Sequence, residues 1–454
     1  MTANLHLFQL EFRRSVGLWL FPLMLFTAWF AGRQTDPAGV TLWLDASAQI
    51  GAGITLVAPL IAGVAAWMAS RDRRRRIEEL LATTPRPAVA RDLTGWVAAA
   101  VWGLLAYVLV GLYRGVETAR DATWGGPEFS LILLGLVTIV AAAAIGYAAG
   151  SFFPSRFTAA LVAIVLFVAA SFPLLTFFSG ETKSRQGNAT FIKDSISSEQ
   201  YLSPFLLMTV GNDFRSVYQE FKDNIGPLQM AWIAGLGGIA LAALALRRRR
   251  TAPAWGTLLV STSLAIFGAT MLLRADPDAI SAAAVEPVCT VNVIEVCVHP
   301  AYEGALDETA AIVEAVMKPV AGLPGVPTRA MQEDPWIFVG PPPDGTLVFW
   351  MERGPDREES IAFWIAISLI QSPYQDQDMP SDGPSDAMQA QDAISIWLAD
   401  QAGFGAGLDN FRGVDAAAVA AERFADLDPA QQRAWLEANF TALQAGQLSL
   451  EDLP

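Results

Sequence analysis

The sequence predicts an α-helical polytopic membrane protein, with seven spans and a cytoplasmic amino terminus, that carries an α+β extracytoplasmic domain at its carboxyl end. Three observations lead there. The 454 residues are 53% hydrophobic and only 17% charged, with a mean hydropathy of +0.36, whereas soluble domains are nearer one quarter charged. Apolar runs near 15–31, 50–69, 95–113, 130–150, 157–178, 229–246 and 254–273 contain no Asp, Glu, Lys, Arg or His. The charge also changes sign along the chain. Residues 1–273 carry 22 basic and 16 acidic side chains (net +6), and residues 274–454 carry 8 and 29 (net −21), which together give the formal −15. Two different solvents are implied, and one soluble enzyme is disfavoured. The basic residues form short clusters and no broad face, so no nucleic-acid partner is expected.

Each run is close to the ~20 residues that carry a helix across a ~30 Å hydrocarbon core. A soluble helix would interrupt such runs with a polar face, whereas a helix in lipid satisfies its backbone internally. The arginines set the direction. Arg13 and Arg14 precede the first run, Arg71 and Arg73 to Arg76 follow the second, and Arg86 and Arg91 precede the third. Arg156 lies between the fourth and fifth, and Arg247 to Arg250 follow the sixth. All fall on one side if the amino terminus is cytoplasmic, and the seventh run then delivers residues 274–454 to the outside of a bacterial cell membrane. The first run is long and lacks a small-residue cleavage site, which makes it an uncleaved anchor.

Both cysteines, Cys289 and Cys297, fall in the exterior part. They bracket the alternating stretch Thr290 to Val296, which reads as extended structure. A disulfide closing this short loop fits an oxidising space, with two free buried thiols as the alternative. Zinc is disfavoured, because His299 is the only nearby histidine and the chain has just two.

The runs lack the intramembrane ionisable groups that ion-coupled carriers and proton pumps use. Haem or iron–sulfur chemistry would need more His or Cys, and intramembrane hydrolysis would need a base. None of the four lysines (Lys183, Lys193, Lys222, Lys318) completes a G-x-x-x-x-G-K loop, so energy from ATP would have to come from another chain.

Two cytoplasmic segments are more specific. In residues 1–14, Leu5, Leu7, Phe8 and Phe12 can share one helical face opposite Glu11 and Arg14, as an interfacial amphipathic helix does. The alternative is a longer first helix. In the loop 70–92, a basic start (Arg73, Arg74, Arg75, Arg76) leads into Ile77-Glu78-Glu79-Leu80-Leu81 and stops at Thr84-Pro85 and Pro87. A charged helix projecting from two spans suits a soluble motor that pushes on the membrane helices. The plainer reading is that the arginines only orient the chain.

The segment Arg73–Pro87 resembles the coupling-helix loop of ABC transporter permeases of the second exporter type, with its basic cluster, Glu-Leu-Leu and Thr-Pro stop. The interfacial segment, the turn Gly150 to Phe157 and a long exterior segment at 179–228 are similar in layout. The resemblance covers roughly residues 1–250 and implies a permease subunit for the transmembrane domain 15–273. It further implies a second permease copy or paralogue (homo- or heterodimer), the lipid bilayer, and a cytoplasmic ABC ATPase that holds ATP and Mg, with no cofactor on this chain. Arg73, Arg74, Arg75, Arg76, Glu78, Glu79, Leu80, Leu81, Thr84 and Pro85 would form the ATPase-coupling surface. The seventh run and the domain 274–454 depart from the usual six-span permease. They look like appendages of permeases from GC-rich, actinobacterial-type genomes.

In the exterior domain, strands are expected at Val291–Val298, Trp336–Val339 and Thr346–Met351, the last two joined through the Pro-Asp-Gly turn that ends at Gly345. Helices are expected at 307–319, 357–371, 384–402, 414–424 and 429–445. Val326–Thr328 and its surroundings read as loop. Ile361–Ile370 is too short to span and reads as a buried core helix. H-E-x-x-H is absent, which disfavours a metallopeptidase. The acidic stretch around Asp376, Asp378, Asp382 and Asp386 lacks EF-hand spacing and reads as a solvated loop.

The expected function is therefore the permease subunit of an ATP-driven exporter of an amphiphilic or peptide-like substrate, without a catalytic site of its own. The alternative is a membrane-anchored receptor or assembly scaffold whose exterior domain binds a partner. Secondary transport is the least supported, for want of intramembrane charge.

Overall fold

The computed structural model describes residues 2–31, 41–75, 87–179, 217–221, 224–274, 280–283, 285–333, 344–351, 357–371, 385–404 and 415–454. Its amino-terminal part is a helix bundle. Helix α1 (Thr2–Arg13) is separate from α2 (Gly17–Ala31), because the helical backbone breaks over Arg14 to Val16. Helices α3 (Trp43–Ala52) and α4 (Ile54–Ala69) follow one another across Gly53, and the short α5 (Arg71–Arg74) continues past Ser70. The remaining bundle helices are α6 (Ala88–Asp121), α7 (Phe129–Phe152), α8 (Thr158–Ser179), α9 (Ile225–Arg248) and α10 (Ala252–Arg274).

Among the described residues, five stretches are long and apolar enough to cross a membrane: Trp43–Ala69, Ala88–Asp121, Phe129–Phe152, Ile225–Arg248 and Ala252–Arg274. The apolar helices Gly17–Phe30 and Thr158–Ala170 are shorter by the same measure. Their outward faces are apolar as well. Trp19 and Leu259 are 83% and 67% exposed, alongside Phe26, Ile164 and Val260. A continuous apolar exterior of this kind fits a hydrocarbon surround and would be a liability in water.

Small residues set how closely the helices approach. A Cβ on Gly146 would lie 2.1 Å from the Ala62 carbonyl oxygen, and one on Gly150 2.1 Å from that of Ala66. Backbone meets backbone across α4 and α7 at G-x-x-x-G spacing, which gains contact where hydrophobic burial offers little driving force. Between α9 and α10, Gly235 likewise meets the Ala265 backbone, and Gly238 meets the Ser261 side chain.

The two ends of the bundle differ. Glu11, Arg71, Asp92, Ser151, Arg247 and Arg248 meet at one end. The carboxyl-terminal region lies at the other, where Leu42 and Val217 enter its hydrophobic core. There β3 (Gln219–Phe221) pairs antiparallel with β4 (Ile280–Ala282). Two short strands also meet in parallel: β1 (Thr41–Leu42) and β2 (Ala122–Trp124).

The carboxyl-terminal region has a four-stranded mixed sheet in the order β5 (Val288–Val291), β6 (Glu295–Val298), β7 (Arg329–Gln332) and β8 (Thr346–Phe349). The pair β5–β6 is antiparallel, whereas β6–β7 and β7–β8 are parallel. Helix α11 (Leu306–Met317) makes the crossover between β6 and β7. Helices α12 (Arg357–Ile370), α13 (Asp386–Gln401), α14 (Asp415–Ala425) and α15 (Pro429–Gln444) complete the core. Ile361, Ala362, Ile365, Ala366, Leu369 and Ile370 of α12 are buried, as a core helix requires. Trp397, Phe424 and Trp435 pack edge to face at 4.9 and 5.3 Å.

One expectation needs correction. The stretch Val291–Val298 is no single strand: the chain reverses over Asn292 to Ile294 and returns as β6. A straight strand would carry Cys289 and Cys297 about 26 Å apart, far beyond the ~7 Å limit for a disulfide. Val326–Thr328 is loop as read, and the strand β7 that begins directly after it is not expected from the sequence. The expected strand Trp336–Val339 and most of the acidic stretch, including Asp376, Asp378 and Asp382, lie outside the described residues, as does most of 179–228.

Candidate functional site

The arginine-rich end begins where α4 stops. Ser70 turns its hydroxyl back onto the carbonyls of Ala66 (2.9 Å) and Trp67 (3.1 Å), and α5 starts in the next residue. Arg71 then reaches the first helix: its Nη1 and Nη2 donate to Glu11 Oε2 and Oε1 at 3.0 and 2.8 Å. Nε of the same guanidinium lies 3.4 Å from Asp72 Oδ1. The hydrogen bond to Glu11 holds the Arg71 guanidinium more firmly in its charged form, against the opposing effect of partial burial. This two-point fork is the geometry in which Arg and carboxylate bind best.

Arg74 lies over the Trp67 ring, 3.5 Å from its centroid, and donates from Nη2 to the Trp67 carbonyl at 2.8 Å. Desolvation there lowers its pKa, and the neighbouring Arg75 and Arg71 add to that. A second fork joins α9 to α6, with Arg248 Nε and Nη2 donating to Asp92 Oδ2 and Oδ1 at 2.9 and 3.3 Å. Arg247 Nη1 donates to the Ser151 carbonyl at 2.6 Å and covers the Phe152 ring. Phe12 stacks on Trp102 at 4.2 Å, which fixes α1 against α6. The helices at this end are thus cross-braced by charged groups, and α5 with Arg75 lies within that brace.

Of the sequence-selected coupling residues, Arg73 and Arg74 lie in α5, and Arg75 closes it with an N–H to the Arg71 carbonyl. Arg76, Glu78, Glu79, Leu80, Leu81, Thr84 and Pro85 lie outside the described residues. Sequence reasoning missed Glu11, Arg71, Asp92 and Arg248 as partners. Their one visible signal was a lone acid close to a span end, Glu11 before the first run and Asp92 before the third.

At the opposite end, Cys289 and Cys297 are directly paired in the β5–β6 ladder and joined by a disulfide, with Cα atoms 4.0 Å apart. Arg329 Nε pairs with Glu295 Oε2 at 3.0 Å, and its Nη2 approaches Cys297 Sγ at 3.4 Å. Among the described residues, Cys289, Glu295 and Cys297 are the one grouping with metal-ligand composition. Both sulfurs are used in the bond, and the adjacent guanidinium opposes a cation, so this is a covalent staple.

His299, just beyond β6, is fully buried. Its Nδ1 accepts from the Ala301 N–H at 3.0 Å and caps the short 3-10 turn that follows. The neutral ring therefore carries its proton on Nε2, which has no hydrogen-bond partner among the described residues. Burial lowers the His299 pKa to about 4. Trp124 and Tyr218, both from the amino-terminal part, meet the ring edge to face at 5.2 and 4.9 Å.

The C-terminal region also carries a likeness to a known family. A family described as a domain of unknown function, DUF7224, matches residues 296–445, from β6 through α15 and beyond its last residue by one position. No curated protein and no solved structure matches the chain. The likeness thus belongs to the carboxyl-terminal domain and leaves the helix bundle to be judged on its own residues.

Proposed function

We propose that the chain is the membrane-spanning permease subunit of an ATP-driven exporter of the second ABC type. In this reading seven helices cross the bacterial cell membrane, with the amino terminus and the loop 70–92 in the cytoplasm. The domain 274–454 stands outside, over the exit of the path. The observation that carries the proposal is the braced arginine end. Glu11–Arg71 and Asp92–Arg248 tie α1 to α5 and α6 to α9 at the end where Arg75 and Pro87 bound the segment 76–86. A push on that segment would act on several helices together, which is what coupling to a separate ATPase needs. The disulfide at the other end is in keeping with an oxidising exterior. The seven apolar runs carry no ionisable side chain, and the cargo is taken as amphiphilic or peptide-like.

The test is alanine replacement of Glu78, Glu79, Leu80 and Leu81 together. Membrane insertion should stay at wild-type level while the co-purifying ATPase, or its turnover, is lost. An intact complex with unchanged ATP turnover would refute this docking site.

The receptor or scaffold reading draws on Val291 and Val293, which are 72% and 81% exposed at the tip of the disulfide hairpin. Apolar tips of this kind suit a protein partner. Reproducible purification without any ATP-binding protein would favour that reading over export.

A further inference from the structure

In open sheets with parallel strands, ligands bind in the crevice beyond the carboxyl ends of the strands. In this domain β6, β7 and β8 are parallel and end at Val298, Gln332 and Phe349. That edge is already occupied by the protein itself. Trp124 comes from the connection leaving α6, and Tyr218 from the segment leading towards α9. They close on the His299 ring with interplanar angles of 79° and 78°. The Tyr218 hydroxyl donates to the Gln332 carbonyl at 2.8 Å, and the Gln332 side-chain oxygen accepts the His299 backbone N–H at 2.9 Å. The Ala283 N–H donates to the Tyr218 carbonyl at 2.7 Å, which extends the β3–β4 pairing up to the clamp.

The pieces are chemically matched. Edge-to-face aromatic pairs at 4.5–7 Å contribute about 0.5–1.5 kcal/mol each beyond their buried area. A neutral imidazole held by its cap offers a flat surface for two of them. The alternative, a C-terminal domain attached only through the linker after α10, would leave His299 and the strand ends uncovered.

We propose that the carboxyl edge of the β6–β7–β8 sheet is the seat of an aromatic clamp, Trp124 and Tyr218 on His299, by which the connections of α6 and α9 hold the C-terminal domain in one orientation on the bundle. The partner of this surface is the chain's own membrane part. The clamp works whatever the protein transports, so it stands apart from the exporter reading.

The experiment uses the full chain in lipid nanodiscs, with spin labels attached through Arg120→Cys and Glu451→Cys. Both positions are exposed, one in the last turn of α6 and one near the carboxyl terminus, and both native cysteines are held in the disulfide. Pulsed dipolar spectroscopy should give one narrow distance distribution. Trp124→Ala with Tyr218→Ala should widen it at least twofold, and a distribution as narrow as that of the unsubstituted protein would overturn the clamp. A second pair of variants decides the matter even if the double variant fails to fold. His299→Asn keeps a cap for the Ala301 N–H but loses the ring, and should widen the distribution. His299→Phe keeps the ring but loses the cap, and should leave it narrow. Equal widths for these two variants would mean that the ring does not hold the domain.

Discussion

The two nitrogens of His299 are committed differently, and this sets how the residue responds to acid. Nδ1 is used as an acceptor and Nε2 sits buried among rings, so a second proton would break the cap and charge an apolar site. The folded protein therefore resists protonation down to about pH 4, whereas an unfolded chain takes the proton at the usual value of 6.5. Between those values the unfolded state holds the extra proton. Stability is thus fully present above pH 6.5 and is lost as the pH falls towards 4, by about 1.4 kcal/mol per unit from this residue. Melting curves across that range should fall more steeply for the unsubstituted protein than for His299→Asn. Parallel pH profiles would remove His299 as a source of acid sensitivity. None of this is legible in the sequence, where His299 is one isolated imidazole and its two aromatic neighbours stand 175 and 81 positions earlier.

At the scale of elements, six of the seven apolar runs each coincide with one helix and the run 50–69 spans α3 and α4 across Gly53, because an unbroken run without a polar face allows little else. The C-terminal core helix α12 was legible from its length: the apolar run Ile361–Ile370 is too short to span and is buried in the domain. The failures have physical causes too. Strand β7 is Arg-Ala-Met-Gln, which lacks β-branched residues, and is a strand because β6 and β8 flank it. The hairpin was hidden because its turn, Asn292-Val-Ile294, lacks Gly. The ion-pair partners at the arginine end depend on helix packing that no local pattern encodes. That packing is testable at α4 and α7. Gly146→Ala or Gly150→Ala places a methyl group within 2.1 Å of a facing carbonyl oxygen and should cost about 1–3 kcal/mol by forcing the helices apart. Gly115→Ala, with nothing within 4 Å of its added Cβ, should be neutral or slightly stabilising, since Ala is the better helix former. Thermal unfolding in detergent compares the three. Equal midpoints would mean that the close approach contributes nothing to stability.

On the scale of the whole molecule, α6 and α9 join both ends. They meet through Asp92–Arg248 at one end, and their connections supply Trp124 and Tyr218 at the other. Helix α6 has 34 residues, about 50 Å at helical rise, so it exceeds a ~30 Å hydrocarbon core and reaches beyond it. If the chain is an exporter permease, deleting 274–454 should abolish export while the cytoplasmic ATPase still binds. Both are read by substrate efflux and co-purification in the same cells, and undiminished efflux would rule out a role for the domain over the exit.

Leu42 and Val217 sit in the core of a domain whose other members begin at Val296. During synthesis these two residues emerge well before the segment that encloses them, and domains generally fold in order of emergence. The last-made domain therefore cannot complete its interior from its own stretch of chain. It must find two earlier connections already delivered to the same side and brought together by the assembled helices. Its closure therefore depends on residues outside 274–454: a small side chain in place of Leu42 or Val217 would leave a cavity in that interior without altering the domain's own sequence.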